Sequence, residues 1–159
     1  MKKKFYVWTG ILIVAGLILF FSIGGGSGSY PSLEDYEEDV EVFVSPTCGC
    51  CDIHSKHLSS GGLNTEKIVS DQKLSETKSK YNIPRELQSC HTTILGDYFV
   101  EGHIPLEAVN KLVEEQPDIA GIAMPGMPSG SPGMPGPKYG DFIVYAVNHE
   151  GTYYEFMRI

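Results

Sequence analysis

The chain has 159 residues, 42% of them hydrophobic, and a formal net charge of −8. That length and apolar content suit one domain with a core and exclude wholesale disorder. Setting aside Lys2, Lys3 and Lys4 leaves nine basic residues against 20 acidic ones, a net of −11. Such a balance excludes nucleic acid and anionic lipid heads as partners, because both need a cationic face, and it favours soluble cations.

Residues 5–23 read FYVWTGILIVAGLILFFSI without a charge. As a helix this run spans about 28 Å, the thickness of a hydrocarbon core. Tyr6 and Trp8 lie near its start, where amphipathic aromatics favour the interface, and the three lysines are expected to stay in the cytoplasm. The expectation is a single-pass anchor that delivers the rest of the chain outside the cell membrane. A cleaved secretory signal, releasing the domain, is the alternative; its apolar core would be shorter. Residues 1–23 are thus the basic tip and anchor, residues 24–39 a flexible acidic linker, and residues 40–159 the domain. In the linker, GGGSGS is a tether, and the five acids of 33–39 form a solvated lead-in.

Residues 40–44 (VEVFV) alternate and are β-branched, which predicts a strand. A break at Ser45-Pro46-Thr47 precedes a helix over 50–60, stopped by Gly61-Gly62. A second strand is predicted at 65–70, then a helix over 73–81 capped by Asp71 and ended before Pro84. Strands at 92–95 and 98–101 flank the turn Gly96-Asp97. Pro105 opens a helix over 106–115. Residues 118–138 are rich in Pro, Gly and Met and are expected to form a loop. Strands at 141–148 and 152–157 make a terminal hairpin around Glu150-Gly151. The order implies an α/β domain with a thioredoxin-like mixed sheet and flanking helices, its first two strands parallel. The Pro/Gly/Met loop and the C-terminal β-hairpin are additions to that plan.

Cys48, Cys50 and Cys51 place three thiols in four residues at a strand-to-helix turn, with C-x-x-C spacing between Cys48 and Cys51. Exposed N–H groups at a helix N-terminus favour the thiolate, which is both the nucleophile of disulfide exchange and a soft metal donor. A bridge between adjacent Cys50 and Cys51 would be strained. Cys48 with Cys51, or any of the three with Cys90, is easier. A plain two-bridge framework is the structural alternative. Cys90-His91 sits at the start of a strand that faces the cysteine turn in a thioredoxin-like arrangement. Redox versions of that fold keep a cis-proline there, and Ser89-Cys90-His91-Thr92 has no proline, which tilts the site toward ligation. His91 is either a further ligand or a strand residue satisfied by the backbone. His54 shares the helical face of Cys50 and Cys51, yet it and His57 are expected to be solvated. His103 reads as a cap-region residue or an outer donor, and His149 as a turn residue.

Met124, Met127 and Met134 punctuate the Pro/Gly segment. Thioether sulfur stays uncharged at any pH and, with thiolates, selects Cu(I) over hard ions. Met127 and Met134 are candidate ligands, and Met124 is expected in the core. Collagen is excluded, since about three Gly triplets are too few for a triple helix.

Four segments together, CGCC at 48–51, SCHT at 89–92, VEGHIP at 100–105 and GIAMPGMPSGSPGM at 121–134, resemble the domain of unknown function 411 family. These are small thioredoxin-like metal-binding proteins associated with resistance to copper and other metals. The resemblance covers about residues 40–159 and implies metal binding, copper first. That family often carries a secretory signal, whereas this chain reads as permanently anchored.

The first reading is therefore a membrane-anchored extracytoplasmic protein that binds Cu(I) for sequestration, resistance or transfer, with the question of an enzymatic activity left open. Cys48, Cys50, Cys51 and Cys90 supply thiolates, completed by His91, Met127 or Met134, and a metal-delivery or efflux protein is a partner. Zinc is the alternative metal. The alternative functions are a thiol–disulfide oxidoreductase with Cys48 and Cys51 catalytic, and a disulfide-stabilised interaction domain.

Overall fold

The computed structural model describes residues 29–159. The expected membrane anchor and most of the tether lie outside the described residues. Among the described residues no helix is long and apolar enough to cross a membrane.

The described residues form a mixed α/β fold with four α-helices and one seven-stranded sheet. In chain order they are α1 (Pro31–Glu34), β1 (Val40–Val44), α2 (Cys51–Ser60), β2 (Thr65–Val69), α3 (Asp71–Lys80), a 3₁₀ turn (Arg85–Leu87), β3 (His91–Leu95), β4 (Tyr98–Glu101), α4 (Leu106–Glu115), β5 (Gly121–Ala123), β6 (Ile143–Val147) and β7 (Tyr153–Arg158). The strand order is β2-β1-β3-β4-β5-β6-β7. β1 and β2 are parallel, as expected of a strand–helix–strand unit, and β4 and β5 are the other parallel pair. β1–β3, β3–β4, β5–β6 and β6–β7 are antiparallel.

Three expectations need correction. Residues 121–123 lie inside the expected loop but form a strand in the sheet, between β4 and β6. All three residues are buried, so no alternation marks them. Gly121 lies so close to β4 that an added Cβ would meet the Phe99 carbonyl oxygen at 2.2 Å, and glycine alone lets the strands approach. Helix α3 is capped by Ser70 and begins at Asp71: the Ser70 hydroxyl accepts the Lys73 N–H at 3.2 Å. A hydroxyl one residue earlier thus takes the place of the Asp71 carboxylate. The lead-in is not wholly solvated either. Its acids are exposed, but Leu33 is fully buried in the main core, and α1 packs on α4.

The turn at Gly96-Asp97 forms as expected, with Leu95 paired to Tyr98 and Gly96 at φ +59°. A main core joins β1, Val100, Ile122, Val144 and Ala146 to Leu58 of α2 and to Leu106, Val109 and Leu112 of α4. A second cluster gathers Ile83, Leu87, Phe99, Ala120, Ala123 and Val147. Helix α3 packs on β1 and β3. At the C-terminal end of β1 the chain enters the cysteine turn and then α2, beside the start of β3.

Candidate metal centre

The break after β1 is a short turn in which the Cys48 N–H donates to the Ser45 carbonyl at 3.1 Å. Cys50 then occupies the N-cap of α2, and its carbonyl accepts the N–H groups of Ile53 and His54 at 3.2 Å each. From Cys51 the helical period puts Cys51, His54 and Leu58 on the buried face. Asp52 points outward to Lys67 at 2.5 Å. The sequence that builds the turn therefore also aims one thiol and one imidazole inward.

Cys48 and Cys51 are joined by a disulfide, their Cα atoms 5.6 Å apart, while Cys50 and Cys90 are free thiols. Cys90 Sγ lies 3.1 Å from Cys48 Sγ and 3.6 Å from Cys51 Sγ, and Cys50 Sγ lies 3.6 Å from Cys48 Sγ. All four sulfurs thus meet at one point. The start of β3 faces the cysteine turn, and no peptide bond among the described residues is cis.

Three imidazoles close the inner side. His91 Nδ1 lies 3.5 Å from Cys51 Sγ and 3.6 Å from Cys90 Sγ. His103 Nδ1 lies 2.7 Å from the Pro132 carbonyl oxygen. That oxygen can only accept, so the proton sits on Nδ1 and the Nε2 lone pair is turned to the thiols, 3.5 Å from Cys50 Sγ and 3.9 Å from Cys90 Sγ. The His54 ring is centred 4.6 Å from that of His91 and 5.2 Å from that of His103. His54, His91 and His103 are fully buried. Both ring nitrogens of His54, Nε2 of His91 and Nε2 of half-buried His57 have no hydrogen-bond partner among the described residues.

Burial, then the neighbouring imidazoles His91, His103 and His57, hold His54 well below the usual histidine range. Burial, then His103 and Lys78, push His91 down to about 3. Burial lowers His103 and His57 as well. These rings are neutral at physiological pH, the form in which imidazole ligates metal. Burial, reinforced by Cys50, raises the Cys90 thiol, so Cys90 must release a proton to bind an ion.

The methionine segment covers this end of the sheet. Gly133, at φ +86°, presses on the start of α2: a Cβ there would stand 3.1 Å from His54 N and 3.3 Å from His103 Nδ1. Met127 is 39% exposed, and its Sδ lies 3.6 Å from Cys90 Sγ. Met124 is buried in the core, as expected. Met134 is half-buried, and its amide closes a turn on the Ser131 carbonyl at 2.8 Å; its sulfur makes no hydrogen bond to the thiols. His149 is exposed and pairs with Asp118 at 3.1 Å.

Two donor groups result: Cys48, Cys51, Cys90 and His91, and Cys50, Cys90 and His103, with the ligand atoms of each within 4.8 Å of one another. Cys90 belongs to both, and neither contains a carboxylate. Sulfur with neutral imidazole suits soft and borderline ions and not Mg²⁺ or Ca²⁺. The structure brings Cys48, Cys50, Cys51, Cys90, His91 and Met127 together, and no hydrogen bond joins the Met134 sulfur to them among the described residues. It adds two rings, His54 and His103, that the sequence does not mark as direct ligands. His54 was expected in solvent, although its spacing of three and four residues from Cys51 and Cys50 was a usable signal. His103, which the sequence reads as a cap-region residue or an outer donor, instead turns Nε2 to the thiols, and only the fold of the methionine segment reveals that direction.

The comparisons agree with this geometry. The family described as "Protein of unknown function, DUF411" matches residues 87–134. Two solved structures titled "Copper resistance protein copG", forms 1 and 2, are each 34% identical to the chain with a TM-score of 0.69. Both alignments cover 76% of this chain, and 97% of the form 2 chain and 96% of the form 1 chain. No functionally curated protein sequence matches the chain. The chain belongs to the DUF411 family.

Proposed function

We propose that the protein is a membrane-anchored, extracytoplasmic copper-binding protein that takes up Cu(I) for sequestration, resistance or transfer to a delivery or efflux partner. The observation that carries this reading is Cys90, whose sulfur is shared by two donor groups built from sulfur and neutral nitrogen alone. The likeness to proteins titled copper resistance protein favours copper over zinc. The strand order β2-β1-β3-β4, with the cysteine turn at the end of β1, supports a thioredoxin-like unit to which β6 and β7 are added.

Cys48, Cys50, Cys51 and Cys90 supply thiolates, His91, His54 and His103 supply nitrogen, and Met127 supplies an outer sulfur. The cargo-competent form is the reduced one: two electrons and two protons from a dithiol open the Cys48–Cys51 disulfide, and the dithiol leaves as a disulfide. Each thiol then gives up its proton as its sulfur is taken by the ion. The imidazoles, already neutral, give up none. The test is anaerobic competition of the reduced protein against a chromophoric Cu(I) chelator, with Zn(II) measured in parallel. The proposal requires copper to be retained and preferred. For the anchor, a thiol reagent that cannot cross membranes should reach the reduced domain in intact cells; labelling only after lysis would reverse the orientation.

A second reading, thiol–disulfide exchange, is favoured by the distance of 3.1 Å between Cys90 Sγ and Cys48 Sγ. Attack by the Cys90 thiolate on Cys48 forms the Cys48–Cys90 bond and breaks the Cys48–Cys51 bond. Cys51 leaves as thiolate and takes up the proton that Cys90 lost. Turnover of an insulin-type disulfide without any retention of copper would put this reading first.

A further inference from the structure

Glu101 is wholly buried and lies opposite Thr92 in the β3–β4 ladder. One carboxylate oxygen accepts the Ser89 N–H at 2.5 Å and pairs with the Lys78 ammonium. The other accepts the Thr92 hydroxyl at 2.6 Å. The same carboxylate therefore holds the residue before Cys90 and the residue after His91. Side chains alternate along a strand. Thr92 and Glu101 share one face of the sheet, where Lys78 reaches them from α3. His91, opposite Val44 in the β1–β3 ladder, faces the donor cluster.

The backbone here is fixed from the same point. The Gly102 N–H donates to the His91 carbonyl at 3.3 Å, and the Met124 N–H donates to the Glu101 carbonyl at 3.0 Å. Gly102 adopts φ +85°, where a Cβ would come 2.7 Å from the Met124 carbonyl oxygen. One short segment thus ties together the turn carrying Cys90 and His91, the backbone of His103 and the start of the methionine segment.

We propose that Glu101 is a positioning residue of the metal centre: its carboxylate, paired with Lys78, holds residues 89–92 so that the Cys90 sulfur stays between the two donor groups. This rests on the metal-binding reading above. A buried ion pair is a weak device for stability, since apolar residues of similar volume often serve as well. Its directional bonds to Ser89 and Thr92 are what apolar residues cannot reproduce. Partners behind metal ligands set ligand direction, and their loss typically weakens binding by about 10–100-fold.

The test compares the full chain with two double variants that leave no lone buried charge. Lys78→Met with Glu101→Leu deletes the acceptors, and Lys78→Met with Glu101→Gln keeps a carbonyl that can still accept the Ser89 N–H. In metal-free protein with the disulfide intact, alkylation of Cys90 relative to Cys50 is read by mass spectrometry. The Leu variant should raise that ratio several-fold, and the Gln variant should restore most of it. In the reduced proteins, Cu(I) affinity should fall about tenfold in the Leu variant and recover with Gln. A Leu variant that alkylates and binds Cu(I) like the parent overturns the proposal, and so does faster alkylation with unchanged Cu(I) affinity. If the Leu variant does not fold, the Gln variant carries both measurements against the single variant Thr92→Val, which deletes one clamp donor: the clamp then requires Thr92→Val to alkylate faster and bind more weakly than the Gln variant. A parent protein that fails to hold Cu(I) would overturn the metal-binding reading instead, while the alkylation ratio would still decide whether Glu101 positions Cys90.

Discussion

The two faces of the sheet at the start of β3 treat buried polarity in opposite ways. On the α3 face, Glu101 meets Lys78, Ser89 and Thr92. On the cysteine face, His54 has no partner for either nitrogen and His91 none for Nε2 among the described residues. Unpartnered buried polar groups are expensive. The contrast is informative: the Glu101 carboxylate is bonded at both oxygens, although the Ser89 hydroxyl beside it has no partner among the described residues, whereas the rings keep nitrogens that a metal ion could take.

The contrast is most exposed to single substitutions that unbalance the Glu101 face. Lys78→Met alone leaves the Glu101 carboxylate buried without its cation and should destabilise the protein by about 3–5 kcal/mol in chemical unfolding. The double variant Lys78→Met with Glu101→Leu should lose much less. Equal losses would mean that Glu101 and Lys78 do not act as a pair.

On the other face the largest effect should fall on binding. Cys90→Ser, which removes a sulfur common to both donor groups, should weaken Cu(I) retention by more than about a hundredfold, beyond the range for outer partners. Cys48→Ser with Cys51→Ser should behave similarly. Unchanged competition by either variant would remove the copper reading.

Acid should separate the two faces without mutation. In metal-free protein the unfolded chain protonates His91 near 6.5 and the folded chain only near 3. Its contribution to stability is therefore present above 6.5 and is lost as pH falls from 6.5 toward 3. His54 and His103 shift in the same direction. Each group can add a slope of up to about 1.4 kcal/mol per pH unit. Glu101, raised by burial, works the other way: its contribution is present below 4.5 and lost as pH rises. Unfolding titrations between pH 6.5 and 5 should show stability falling, and a flat profile would mean that the imidazoles are not buried neutral.

A smaller effect of opposite sign should come from His54→Leu. Replacing an unpartnered imidazole by an apolar side chain should stabilise the metal-free protein by about 1 kcal/mol while weakening copper retention. Lower stability in the metal-free form would show that His54 is satisfied after all. A small effect is expected from Met127→Leu, a change of a few-fold in Cu(I) affinity at nearly constant volume. Met134→Leu should have a smaller effect still, because the Met134 sulfur, unlike that of Met127, makes no hydrogen bond to a thiol among the described residues.

The sequence by itself determined the local parts. The β-branched strand VEVFV, the Gly96-Asp97 turn, Pro105 before α4 and the C-x-x-C spacing each depend on neighbours a few residues apart, and each is realised in the structure. The strand-to-helix turn, with the start of β3 facing it, also placed Cys90 and His91 correctly beside the first three thiols. Tertiary structure decided the rest. Residues 121–123 became a strand because β4 and β6 offered hydrogen bonds on both sides, a fact absent from three buried residues without a period. His54 and His103 became candidate donors because Gly133 lets the methionine segment close over them. Glu101 looked like one acid among twenty until the β3–β4 ladder set it opposite Thr92 and α3 delivered Lys78. Short-range periodicity fixes which face of its own helix or strand a residue occupies. Whether that face meets water, a core or a set of ligands depends on segments dozens of residues away, and only packing resolves it.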